Sequence, residues 1–111
     1  MTASDMPNGR KVRESAILAI TRNSAKAEGV LCFRLGMLPG VTAGWPDLVL
    51  LAEPGRVLFI ETKAPGHKLR PLQEYRREAL EALGFDYAVV DSGAQAKTVI
   101  AAFAHLTENP A

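Results

Sequence analysis

Cysteine is almost missing from this 111-residue chain: Cys32 stands alone. A single thiol excludes an internal disulfide and a cysteine-based zinc cluster, and it points to a buried, reduced side chain in a cytoplasmic protein. Long apolar runs are missing too, since none approaches the roughly 20 residues a membrane helix needs. The opening MTASDMPNGRKVR has no apolar signal core, so nothing in it points to export. Charge of one sign is also lacking. The formal net charge is +1, too weak on its own to argue for a nucleic-acid partner. His67 and His105 have no metal-ligand spacing to one another. No Ser/His/Asp arrangement or phosphate-cradling glycine-rich loop is present either.

What remains is the composition of a globular protein, 48% hydrophobic and 23% charged, long enough for one modest core. Residues 1–9 read as a flexible tail with a turn at PNG, and residues 10–111 as a single domain. From Arg10 to Glu28 the spacing predicts a helix with Ile17, Ile20 and Ala27 on its buried stripe, widened by Leu18 and stopped by Gly29. VLCFRLGM reads as a strand and LPGVTAGW as a loop. DLVLLA and RVLFIETK read as two strands of a hairpin around EPG. After the loop APGHKLR, Pro71 opens a helix whose predicted stripe is Leu72, Tyr75, Ala79 and Leu83. FDYAVVDS reads as a further strand. AQAKTVIAAFAHL reads as a last helix burying Val99, Ile100, Phe103 and Leu106. The order α-β-β-β-α-β-α implies an α/β fold with no repeat or linker dividing it.

The hairpin carries more charge than a core element needs. Asp47 begins its first run, Glu61 ends the second, and Lys63 follows two residues later. Side chains alternate along a strand and cross-strand partners share a face. An odd loop, such as three residues around EPGR with Gly55 at positive φ, therefore puts Asp47 on the face of Glu61 and Lys63. A two-residue loop puts it on the opposite face. If the acids converge at about 4 Å, they repel by roughly 4 kcal/mol at an effective dielectric near 20. Lys63 offsets part of that and a divalent cation more; one or two carboxylates with retained waters suit Mg²⁺ or Mn²⁺. The main-chain carbonyl of Thr62 could complete the set. Such a site fits phosphodiester hydrolysis better than acyl transfer. Glu14, three and four residues before Ile17 and Leu18, extends the first helix's stripe with an acid that could reach the same metal. An ordinary surface glutamate favoured by the helix dipole reads equally from that position.

Basic residues are clustered locally. Lys63, Lys68, Arg70, Arg76 and Arg77 stand against one acid, Glu74, and Arg10, Lys11 and Arg13 form a second group. Either cluster can hold phosphates or be plain solvated charge. His67 reads as a solvated loop residue. Trp45, on a glycine-rich loop beside Asp47, either stacks on a base or simply packs.

GWPDLVLL, FIETK and LQEY, in that order, resemble the Gly-x-Pro-Asp element, the Glu-x-Lys element and the helix glutamine of the VRR-NUC family in the PD-(D/E)xK nuclease superfamily. The resemblance spans about residues 10–92 and includes a glutamate on the first helix. It implies a restriction-endonuclease-like core with a mixed central sheet flanked by helices, and a metal-dependent DNA endonuclease. On that pattern Asp47 and Glu61 ligate Mg²⁺ or Mn²⁺, with Glu14 as a further or water-mediated ligand. Lys63 positions the attacking water and Gln73 supports Lys63 or a phosphate. Arg10, Lys11, Arg13, Trp45, Lys68, Arg70, Arg76 and Arg77 are the expected DNA contacts. The departure from that pattern is size, with no separate DNA-binding domain expected in these 111 residues. Stand-alone members resemble Holliday junction resolvases, which implies a homodimer acting on branched DNA inside a bacterial or phage-infected cell. Two alternatives stay open: a catalytically silent DNA-binding or assembly module, and a nickase or restriction-type nuclease on duplex DNA.

Overall fold

The structure, a computed structural model, describes residues 12–35 and 43–105. The expectations for the tail 1–9, for Arg10 and Lys11, and for Leu106 lie outside those residues. The elements follow in the order α1 (Glu14–Ala27), β1 (Leu31–Arg34), β2 (Leu48–Ala52), β3 (Arg56–Thr62), α2 (Pro71–Ala82), β4 (Asp86–Val90) and α3 (Gly93–His105). The sheet runs β1-β2-β3-β4. Its first three strands are antiparallel and β3 is parallel to β4 across the α2 crossover. This is the mixed α/β architecture the pattern implied.

Period-two alternation sorts the sheet into two surfaces. Leu48, Leu50, Leu58, Ile60 and Val90 point to one side and are buried. There they meet Ile17 and Ala25 of α1 and Ala96, Ile100 and Phe103 of α3 in one core. Each buried leucine, isoleucine, valine or phenylalanine among them contributes about 1.5–3 kcal/mol relative to leaving it in water. α3 starts at Gly93, one residue earlier than expected, and Ser92 caps it, its hydroxyl accepting from the N–H of Gln95 at 3.1 Å.

Two predicted stripes turn out rotated. In α1 the buried positions are Ile17, Thr21 and Ala25, while Ala27 is exposed. Thr21 can enter the core because its hydroxyl donates to the Ile17 carbonyl at 2.7 Å, so no polar group is left unpaired. In α2 the buried residues are Gln73 and Leu80. Tyr75 and Leu83 are instead 61% and 74% exposed, and Leu72 and Ala79 are also exposed. The reason is polar. The Gln73 amide is held at both ends, by the Glu61 carboxylate and the Arg70 N–H, which fixes the rotation of the helix, and among the strands α2 packs mainly against β4. Cys32 is half-buried rather than buried, and burial raises its thiol pKa.

The second surface of the sheet is therefore only partly covered. Phe59 meets Phe85 edge-on at 5.6 Å, and Tyr87 lies beneath α2. Toward β1, Leu31, Phe33 and Leu51 remain exposed.

Candidate active site

The β2–β3 turn decides whether the acids can meet. Ala52 pairs with Arg56, leaving a loop of Glu53, Pro54 and Gly55, with Gly55 at φ 60°. Only glycine adopts that conformation without strain. At the other end of the ladder Leu48 pairs with Ile60, so the register carries Asp47 opposite Glu61. Thr62 then fixes the Asp47 carboxylate. Its backbone N–H and its hydroxyl both donate to Oδ2, at 2.8 and 2.7 Å.

Glu61 is 1% exposed. Gln73 Nε2 donates to its Oε2 at 2.6 Å, and the Lys63 ammonium lies 3.7 Å from the same oxygen. Gln73 Oε1 in turn accepts from the Arg70 N–H at 2.9 Å, which orients the amide with its NH₂ toward Glu61. The other oxygen, Oε1, is buried with no hydrogen-bond partner among the described residues. Burial above all, then the negative charge of the neighbouring Asp47, push the Glu61 pKa up to about 8; Lys63 opposes this and Glu14 adds to it. Lys63 is only 5% exposed, so its ammonium lies at the buried end of the hairpin beside this carboxyl.

Glu14, the first residue of α1, completes the group. One carboxylate oxygen each from Glu14, Asp47 and Glu61 lie within 4.8 Å of one another. Three acids this close, one of them buried with a free lone-pair site and a strongly raised pKa, are unfavourable without added positive charge. Their all-oxygen donor set fits a hard divalent cation.

The fold thus brings together Glu14, Asp47, Glu61, Thr62, Lys63 and Gln73. The expected DNA contacts are more dispersed. Arg13 is exposed at the start of α1, and Lys68, Arg70 and His67 are exposed on the approach to α2. Arg76 is half-buried with its guanidinium over the Trp45 ring. Arg77 is engaged elsewhere, 3.1 Å from Glu81 and over the ring of Tyr87. Two features escaped the sequence reading. One is the Thr62 side chain as the group that orients Asp47, for which a hydroxyl between Glu61 and Lys63 was the available sign. The other is Tyr87, whose buried hydroxyl has no partner among the described residues. Burial and the nearby Glu61 charge raise its pKa, and Arg77 opposes the shift. Two grooves of about 650 and 820 Å³ run along the β1 edge and include none of the acid cluster.

The VRR-NUC domain family model matches residues 6–94. A curated relative from Acyrthosiphon pisum secondary endosymbiont phage 1, named "Putative nuclease p44", is 32% identical over 83 residues, covering 75% of this chain and 87% of its own length. A solved VRR_NUC domain superposes with a TM-score of 0.69 at 27% identity, over 79% of this chain and 94% of that one. A second solved VRR_NUC domain protein, at 23% identity and TM-score 0.67, covers 83% of this chain and 88% of its own and shares the fold. With the acid–lysine hairpin, the helix glutamine and a family match over most of its length, the chain belongs to the VRR-NUC domain family.

Proposed function

We propose that this protein is a metal-dependent DNA endonuclease that hydrolyses phosphodiester bonds in branched DNA such as Holliday junctions. It acts through residues 10–111 as one domain, in the cytoplasm of a bacterial or phage-infected cell. The observation that carries this reading is the convergence of three carboxylates within 4.8 Å beside a buried lysine. The nuclease name of the phage relative agrees with it.

Asp47 and Glu61 would hold Mg²⁺ or Mn²⁺, with Glu14 as the third carboxylate and the Thr62 carbonyl as a further oxygen. Such an ion would supply positive charge to the oxygens of the phosphate whose phosphorus is attacked and would lower the pKa of a water bound to it. Thr62 keeps Asp47 Oδ2 aimed, as its two donors at 2.7–2.8 Å support. Lys63, 3.7 Å from Glu61 Oε2, is placed to orient the attacking water. Gln73 pins the Glu61 carboxylate from the α2 side. Arg13, Lys68 and Arg70, all exposed, supply phosphate contacts around the site. A homodimer would present two such sites for two strands, and the exposed apolar patch of Leu31, Phe33 and Leu51 is the feature that favours association.

Purified protein incubated with four-way junction, flap and plain duplex DNA, with and without Mn²⁺, tests the proposal. Cleavage should require metal, favour the branched substrates and disappear in Lys63→Ala. Metal-independent cleavage, or none of any DNA, sinks the enzyme reading. Equal cutting of plain duplex removes the branch preference, and a monomeric mass by light scattering at micromolar concentration removes the dimer.

A further inference from the structure

Arg76 has an unusual setting for a helix arginine. Its guanidinium carbon lies 5.6 Å from the centroid of the Trp45 ring and 5.6 Å from that of Tyr75. Its Nε is buried and has no hydrogen-bond partner, and the side chain enters no ion pair among the described residues. The neighbouring Arg77 is already paired with Glu81, so the two arginines are not equivalent. Arg76 is held by aromatic contacts, and its planar donor fork is not committed to any carboxylate.

The position is set by the catalytic frame. Trp45 precedes Asp47 by two residues, and Gln73, one helical turn before Arg76, donates to Glu61. Gly44 lies against Leu72 so closely that an added Cβ would be 2.4 Å from Leu72 Cγ. The turn carrying Asp47 is therefore packed directly against the first turn of α2. Beside the arginine, Tyr75 is 61% exposed and Leu72, three residues away on the same helix face, is 45% exposed. A cation held against an aromatic ring, with a second ring open to water, is the pairing that grips unpaired nucleic acid. The cation takes the backbone phosphate, and the open ring takes a base that has left its stack. A base-paired duplex cannot offer that base without being opened, at a cost of a few kcal/mol.

We infer that Tyr75, Leu72 and Arg76 form a single-strand platform beside the acid cluster, with Arg76 taking a phosphate of the bound strand and Tyr75 stacking on an unpaired base. Resting on the nuclease reading, this makes the preferred DNA one with an unpaired nucleotide next to the cut. Trp45 backs the platform through its contact with the Arg76 guanidinium, and it is the sole tryptophan of the chain, so its emission reports occupancy.

The test is binding of the full chain in EDTA, read by anisotropy, to a labelled oligothymidylate of about twelve nucleotides and to a blunt duplex. Tyr75→Ala should weaken oligothymidylate binding roughly tenfold while duplex binding changes less than about twofold. Tyr75→Phe should restore it. Arg76→Gln should weaken both probes and lower the salt dependence by roughly one phosphate contact. Oligothymidylate should alter Trp45 emission in the wild type. Equal loss on both probes, or no loss on either, in Tyr75→Ala would overturn the platform. The cleavage assay keeps the two ideas apart. If nothing is cut in Mn²⁺ but the Tyr75-dependent selectivity persists, the nuclease reading falls and the platform stands. If DNA is cut and Tyr75→Ala binds and cuts like the wild type, the platform alone falls.

Discussion

Glu61→Gln should make the metal-free protein more stable at pH 8, although it removes a residue at the centre of the site. Glu61 is 1% exposed, and burial together with Asp47 and Glu14 holds its pKa near 8 against an ordinary 4.5. The unfolded chain releases this proton near pH 4.5 and the folded chain keeps it until about pH 8. Between those values the native state binds more protons, so stability falls as pH rises, by about 1.4 kcal/mol per unit. Across roughly 3.5 pH units the loss approaches about 5 kcal/mol, a large share of the 5–15 kcal/mol that holds a typical domain together. Glutamine keeps the shape, can still accept from Gln73 Nε2, and carries no charge to desolvate. Urea unfolding in EDTA at pH 5, 6, 7 and 8 measures the difference. The wild-type midpoint should fall steadily over that series, while Glu61→Gln stays comparatively flat and exceeds it at pH 8 by more than about 1 M urea. Adding Mn²⁺ at pH 8 should raise the wild type and leave Glu61→Gln nearly unmoved. A wild-type midpoint that is flat or rises from pH 5 to pH 8, with the variant following it, would refute the reasoning.

Other expectations follow from neighbouring contacts. Thr62→Val removes one of the two donors to Asp47 Oδ2 and should weaken Mn²⁺ binding about tenfold by calorimetry, an effect absent if the hydroxyl does not orient the acid. Gly44→Ala meets both a left-handed φ of 78° and a contact of 2.4 Å to Leu72, so it should cost about 2 kcal/mol or more in urea unfolding. The double variant with Leu72→Ala should recover only part, because the Leu72 carbonyl oxygen also lies 3.0 Å from the new atom. Tyr87→Phe deletes a buried hydroxyl with no partner among the described residues and should raise stability by about 1 kcal/mol; a loss of that size would mean the hydroxyl is satisfied in solution.

The hairpin was legible because its information is local. Strand alternation and the steric demand of Gly55 fix the register within 16 residues, so the meeting of Asp47 and Glu61 could be reasoned from spacing. Element order was legible for the same reason. The facing of α2 was not. Leu72, Tyr75 and Leu83 form an apolar stripe by count, but the helix is turned by the polar tie of Gln73 to Glu61, a contact between residues 12 positions apart in different elements. Thr21 likewise enters the core because its own helix absorbs its hydroxyl, which hydrophobic periodicity cannot register. The role of Thr62 needed the third dimension, since a threonine in a strand is ordinary until an acid is seen across from it.

The turn of Glu53, Pro54 and Gly55 has a consequence for how this sequence can drift. Exposed loop tips are where chains usually accept insertions and deletions freely. This one does so only while the change stays within the loop and Ala52 still pairs with Arg56. If the turn kept its three residues and a strand took up a single added residue instead, β2 would slide against β3 by one position and Asp47 would face away from Glu61, unless a bulge absorbed the slip. A tip with no chemistry of its own therefore guards the site through the length at which it closes, since that length decides whether an added residue is harmless or parts the two acids.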